Sequence, residues 1–174
     1  MKPHPLAGTV LAAFAATVLA ACGSSAVTSS TPTTAGTSEG FDPCSVVTQE
    51  DASSALGETV SAGVLGNATV EGGRACVFDG PKAPNPGDPN TAQPDSVRVV
   101  VVNGSDAKKW YSDYKSKVAA QPVTGYGDEA YYDGHASLSI LDGVNYVRIA
   151  VIPAAGPPSL SDEQKLASAI LPKL

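Results

Sequence analysis

The residues with the clearest chemistry in this chain are its three cysteines, and the first of them stands in a processing motif. Cys22 follows Leu19-Ala20-Ala21 and precedes Gly23. This is the lipobox pattern, in which a diacylglyceryl group is attached to the thiol and the chain is cut before the cysteine. Two or more acyl chains hold a protein at a bilayer because each buried CH₂ contributes about 0.8 kcal/mol. The pattern predicts lipidation at Cys22.

The residues before Cys22 have the pattern of a signal peptide. Lys2 supplies a short positive region, and an almost unbroken apolar stretch runs from Leu6 to Ala20. The stretch is shorter than the roughly 20 apolar residues of a typical membrane-spanning helix. We therefore expect residues 1–21 to be removed and the mature protein to sit on the extracytoplasmic face of the cell membrane. The alternative is an ordinary secretory signal with a chance cysteine at the cleavage site.

The other two cysteines, Cys44 and Cys76, remain as a pair after lipidation of Cys22. Outside the cytoplasm such a pair is typically oxidised, and neither residue belongs to a C-x-x-C motif. A structural disulfide is the favoured interpretation, with two free thiols or a redox pair as alternatives.

The densest polar cluster, Asp128, Glu129, Asp133 and His135, is a candidate cation site because hard cations prefer several carboxylate oxygens. Its spacing fits no EF-hand loop, and the Asp133-Gly134 pair is typical of a hairpin turn. We therefore predict local turn structure and no metal site.

Catalysis by a nucleophile would need more than the sequence offers. His135 is the only histidine after residue 21, and Ser137 and Ser139 lie close to it without a nucleophile elbow or an S-x-x-K motif. The sequence predicts neither an enzyme nor a cofactor.

Charge and composition set the domain limits and exclude one class of partner. The chain carries a net charge of −6, and nucleic-acid binding needs clustered Lys and Arg. Residues 22–40 are mostly small and polar and predict a flexible tether after the lipidated cysteine, with an end-to-end distance of roughly 20–25 Å. We expect one folded domain over residues 41–174.

The pattern of apolar residues predicts an α+β fold. Helices are expected near 48–57, 105–118 and 161–171, the last opened by a capping box at Ser161-Asp162-Glu163-Gln164. Strands are expected near 60–64, 75–78, 97–102, 130–132, 137–141 and 145–152. This order has the pattern of two α-β-β-β units and a closing helix. It favours an antiparallel sheet of about six strands with helices mainly on one face.

A sheet covered on one face would leave part of the other exposed. The residues that we expect there are Arg98, Val100, Val102, Tyr146 and Arg148. An exposed apolar patch rimmed by arginine would be a surface for a protein partner or an apolar ligand. The alternative is an ordinary solvated face.

Several short motifs together resemble the actinobacterial cell-envelope lipoproteins of domain-of-unknown-function family 3558. They are Asp42 to Thr48, Ala55-Leu56-Gly57, Cys76-Val77-Phe78, Gly125 to Tyr132 and the closing helix from Leu166 to Leu171. The resemblance spans most of residues 41–174. It implies a Cys44–Cys76 disulfide and a surface-anchored α+β domain, and it carries no catalytic residues onto this chain.

These observations predict a membrane-anchored, non-catalytic binding or assembly module of the cell envelope. A carrier or sensor of an apolar or cell-wall ligand is the alternative, and an envelope hydrolase is a weaker one.

Overall fold

The computed structural model describes residues 40–81 and 95–174. Cys22, the signal peptide and all but Gly40 of the predicted tether lie outside the described residues. Three α-helices are present: α1 (Gln49–Leu56), α2 (Ala107–Lys115) and α3 (Leu160–Ile170). The strands are β1 (Val64–Ala68), β2 (Gly73–Asp79), β3 (Ser96–Asn103), β4 (Gln121–Val123), β5 (Glu129–Tyr132), β6 (Ser137–Asp142) and β7 (Asn145–Ile152). None of the described helices is long and apolar enough to cross a membrane.

The strands form one antiparallel sheet in the order β1-β2-β3-β7-β6-β5-β4. The predicted α+β fold with an antiparallel sheet and a C-terminal helix is confirmed, with seven strands instead of about six. The additional strand is β4, which contains Pro122; proline is tolerated there because β4 is at a sheet edge. β1 begins at Val64, which is the last residue of the strand predicted over 60–64.

The ends of the helices show which local signals position them. Thr48 and Asp51 form a reciprocal capping box at the start of α1, and Gly57 ends it with a φ of 77°. The capping box predicted at Ser161 is wrong, because α3 begins at Leu160 and its N-cap is Ser159, which makes no side-chain capping hydrogen bond. Leu160 packs against the core, so the helix extends to include it.

One face of the sheet, here called the first face, carries the main hydrophobic core. Val99, Ile149 and their alternate neighbours on β3 and β7 point to this face and pack under α1 and α3. The predicted disulfide between Cys44 and Cys76 is present, with an S–S distance of 2.02 Å and a Cα–Cα distance of 5.1 Å. It joins the turn before α1 to β2, and such a closed loop contributes roughly 3–4 kcal/mol to stability.

The opposite face, here called the second face, is covered in part by α2. Ala107 and Tyr111 of α2 pack with Val102, Tyr131 and Tyr146 of the sheet. Two of the three helices therefore share one face, as predicted, and α2 lies on the other. α1, which opens the first predicted α-β-β-β unit, packs on the first face, whereas α2, which opens the second unit, packs on the second face.

Candidate interaction surface

The structure places all five predicted surface residues on the second face. Arg98, Val100 and Val102 alternate along β3, and Tyr146 and Arg148 alternate along β7. The two strands are in register, with Val100 opposite Arg148 and Val102 opposite Tyr146. Residues opposite each other in an antiparallel pair point to the same face, so the five side chains form one group.

The prediction that these residues form an exposed apolar patch is wrong for the three apolar ones. Val100, Val102 and Tyr146 are each at most 2% exposed. Tyr111 of α2 covers this part of the sheet and meets the rings of Tyr131 and Tyr146 edge-on, at centroid distances of 5.1 Å and 5.7 Å. Their exposure was wrongly predicted because sequence periodicity does not indicate which face of a sheet a helix covers.

The turn between β1 and β2 forms the second cover of this face. Gly72 has a φ of 76°, and a Cβ atom at this position would lie 2.0 Å from the ring of Trp110 on α2. Both the backbone conformation and the close approach require glycine. The turn thereby packs against α2 and brings Glu71 over the sheet.

Glu71 is buried and forms ion pairs with both arginines of the predicted surface, Arg98 and Arg148. Its side chain is 1% exposed and accepts hydrogen bonds from Arg98 at 2.7 Å and 3.2 Å and from Arg148 at 2.6 Å. Burial raises the pKa of Glu71, but these bonds and charges outweigh it and hold the pKa below its ordinary value. The arginines therefore neutralise an internal carboxylate rather than rim an apolar patch.

Arg148 extends this network to the β5–β6 turn. Its Nε donates to the Ser137 hydroxyl at 2.9 Å, and its guanidinium lies 4.1 Å from the ring centroid of Tyr114. A guanidinium nitrogen is 3.6 Å from Asp133. Arg148 is thus held by ionic, hydrogen-bonding and cation–π contacts at once.

Asp133 has the turn role that the sequence predicted. Its carboxylate accepts from the backbone N–H groups of His135, Ala136 and Ser137 and from the Ser137 hydroxyl. Burial alone would raise its pKa, but these donors lower it to about 2. An acidic group held in this way stabilises the turn and stays ionised at neutral pH.

The other members of the acidic cluster point to separate partners. Asp128 accepts from the backbone N–H of Gly143 at 2.9 Å, and Glu129 pairs with Lys115. Within residues 40–81 and 95–174, no group of three His, Cys, Asp or Glu side chains is placed to hold a metal ion. Ser137, a candidate nucleophile by sequence, is buried and bonded to Asp133 and Arg148.

Over one half of the second face lies none of the three helices in residues 40–81 and 95–174. A continuous row across β1, β2, β3 and β7 consists of Val64, Val77, Arg98 and Ala150. Ile152 lies two residues beyond Ala150 on β7 and points to the same face. Val64 is 63% exposed and the other apolar members are half-buried, while the Arg98 side chain is 33% exposed. We call these five residues the uncovered half.

Of the uncovered half, only Arg98 is among the surface residues predicted from the sequence. The alternation along β3 and β7 was visible, but the cross-strand register that aligns Val64, Val77 and Ala150 with Arg98 was not. The boundary between the covered and uncovered halves depends on where the β1–β2 turn folds, and no local motif marks that position.

The surface depressions lined by described residues include three of about 530, 310 and 230 Å³, all open to solvent. They lie beside α1, beside the loop from Val123 to Asp128, and beside the disulfide. None of the three opens at the uncovered half.

Comparison with known proteins gives no external assignment of this surface. No protein-family model matches the chain, and no curated protein or solved structure matches it significantly.

Proposed function

We propose that this chain is a lipid-anchored extracytoplasmic protein that binds a protein partner without catalysis, through the uncovered half of its second face. The resemblance to the actinobacterial envelope lipoproteins of family 3558 belongs to the same proposal. The observation that carries it is the row of partly exposed apolar side chains around Arg98 on the second face of the sheet.

Two features support the location. The lipobox at Cys22 supplies an anchoring site, and the Cys44–Cys76 disulfide is of a kind that persists in oxidising compartments. With residues 22–40 as a tether, the domain would stand clear of the headgroups and present its surface to other envelope proteins.

The shape and chemistry of the uncovered half favour a protein partner. It is a row of partly exposed apolar side chains with one partly exposed arginine, and interface cores are typically apolar with arginine enriched. An enclosed apolar ligand would need a cavity, and none of the three depressions lined by described residues opens at this row.

The location is tested by metabolic labelling with palmitate. The wild-type chain should incorporate the label and fractionate with membranes, and Cys22→Ala should incorporate none. A Cys22→Ala chain that still carries label would contradict the assignment.

The binding surface is tested by recovery of partners after reversible cross-linking on intact cells. Ile152→Glu places a charge in the uncovered half, and Val144→Glu places the same charge on a valine that is 61% exposed in the β6–β7 turn. We expect Ile152→Glu to lose the cross-linked partner and Val144→Glu to retain it. Equal recovery with both variants would reject the surface.

A further inference from the structure

The two edges of the sheet are protected to very different degrees. At one edge, β4 has only three residues, and one of them is Pro122, which has no N–H to offer another strand. At the other edge, β1 has five residues, Val-Leu-Gly-Asn-Ala, without proline or charge. Native proteins commonly protect an edge with charge, proline or a short strand, and β1 has none of these.

The absence of charge extends well beyond β1. No charged residue occurs from Thr59 to Val70, in a chain whose net charge is −6. A strand that pairs with its own copy brings like residues together across a two-fold axis, so any charge near that axis repels itself. An uncharged edge is therefore suited to a second copy.

Exposed apolar side chains lie at both ends of β1. Among the described residues, the exposed large hydrophobic side chains are Val64, Val70 and Val144. Val64 begins β1 and Val70 lies just beyond its end, and they are 63% and 70% exposed. Antiparallel pairing of two copies brings the start of one strand beside the end of the other, so each Val64 would approach the Val70 of its partner.

From these observations we propose that two copies of this chain associate through antiparallel pairing of their β1 strands. The pairing joins two seven-stranded sheets into one continuous sheet of both copies. Gly66 and Asn67, both exposed, lie near the two-fold axis. The inference concerns the sheet edge; it shares only Val64 with the uncovered half and does not depend on the lipid anchor.

The test is sedimentation equilibrium of the full chain in density-matched detergent, from about 1 µM to about 1 mM. The mass of the wild-type chain should rise from one copy to two. Asn67→Lys places a positive charge near the axis, beside Arg74 on the neighbouring strand, and should remain at one copy throughout. Gln121→Lys adds the same charge at an exposed position of the β4 edge and should dimerise like the wild type.

A charge-swap mixture separates lost pairing from a damaged fold. Asn67→Asp mixed with Asn67→Lys should recover the dimer, because opposite charges then meet across the axis. A wild-type chain that stays at one copy at every concentration would overturn the proposal. So would an Asn67→Lys chain that dimerises as well as the wild type. Neither result would affect the Ile152→Glu experiment.

Cross-linking provides a second readout of the same geometry. Val64→Cys in one population and Val70→Cys in another should form a disulfide-linked pair when the two are mixed. Each variant alone should form far less, because its cysteines lie at opposite ends of the paired strands. Equal cross-linking in the mixture and in the single variants would contradict the antiparallel arrangement.

Discussion

Two buried glutamates, one on each side of the sheet, show how differently the two faces are built. Glu71 on the second face is held between Arg98 and Arg148, and its pKa is below the ordinary value. Glu163 on α3 is fully buried and forms no ion pair among the described residues. Burial raises its pKa to about 8, and the nearby carboxylates of Asp133 and Asp162 act in the same direction.

The difference follows from what covers each face. The first face is covered by two helices with an apolar core, so a carboxyl group there is kept in its neutral form. The second face is covered in part by a turn that contributes few apolar side chains. Ion pairs hold that turn in place, and no helix of the described part of the chain covers the sheet beyond it. The polar network therefore marks the boundary at which the proposed binding surface begins.

The largest expected effect concerns Glu163 and pH. Because its pKa is raised on folding, folding takes up a proton at pH values between its ordinary pKa and about 8. The free energy of unfolding should therefore fall as pH rises from about 4.5 to about 8, by roughly 3–5 kcal/mol in total. Glu163→Gln should remove this slope and be more stable than the wild type at pH 8.

Denaturant unfolding at several pH values measures this effect, and the difference between wild type and Glu163→Gln isolates it. The lowered pKa values of Glu71 and Asp133 make the free energy of unfolding rise with pH, which is opposite to the effect of Glu163, and they do so at lower pH. Their contribution to stability is lost as pH falls below their ordinary pKa values, and Glu163→Gln leaves that loss unchanged. Parallel curves for the two proteins between pH 4.5 and 8 would show that Glu163 titrates normally.

Substitution of Glu71 should lower the stability of the protein, whereas substitution of Glu163 should raise it at pH 8. Glu71→Ala leaves two partly buried arginines without their carboxylate and should lower the free energy of unfolding by about 3 kcal/mol at neutral pH. Glu50→Ala, which removes an exposed acid from α1, is the control and should change stability by less than about 1 kcal/mol. Equal effects of the two substitutions would mean that the Glu71 ion pairs contribute nothing measurable.

A smaller effect separates the covered and uncovered halves of the second face. Val100 is fully buried and Val77 is half-buried on the adjacent strand, on the same face. Val100→Ala should cost about 2 kcal/mol, and Val77→Ala less than about 1 kcal/mol. Thermal or denaturant unfolding of the two variants measures the contrast. A cost at Val77 as large as that at Val100 would mean that the uncovered half is structural core.

Much of the fold could be predicted because its signals are local. Thr48 and Gly57 bound α1, Asp133-Gly134 makes a turn, and the valines from 97 to 102 form a central strand. The disulfide was predictable because Cys44 and Cys76 are the pair left once Cys22 is assigned to lipidation, and such a pair is typically oxidised outside the cytoplasm. β4 was missed because three residues around a proline carry almost no strand signal.

The site was harder to predict because it depends on contacts between residues far apart in sequence. Alternation on β3 and β7 placed five residues on one face correctly. Their burial depends on Gly72 meeting Trp110 and on Glu71 meeting Arg148, which is 77 positions away. In the sequence Glu71 is one acid in a loop, and nothing near it indicates two arginine partners.

We propose that the uncovered half binds a protein while the rest of the second face is structural. Site-specific photo-cross-linking in intact cells tests it most directly, with the photoreactive residue at position 152 or, as the control, at position 144. We expect one discrete adduct with another protein from position 152, lost when Val77→Glu is added, and none from position 144. No adduct from position 152, or the same adducts from both positions, would contradict it.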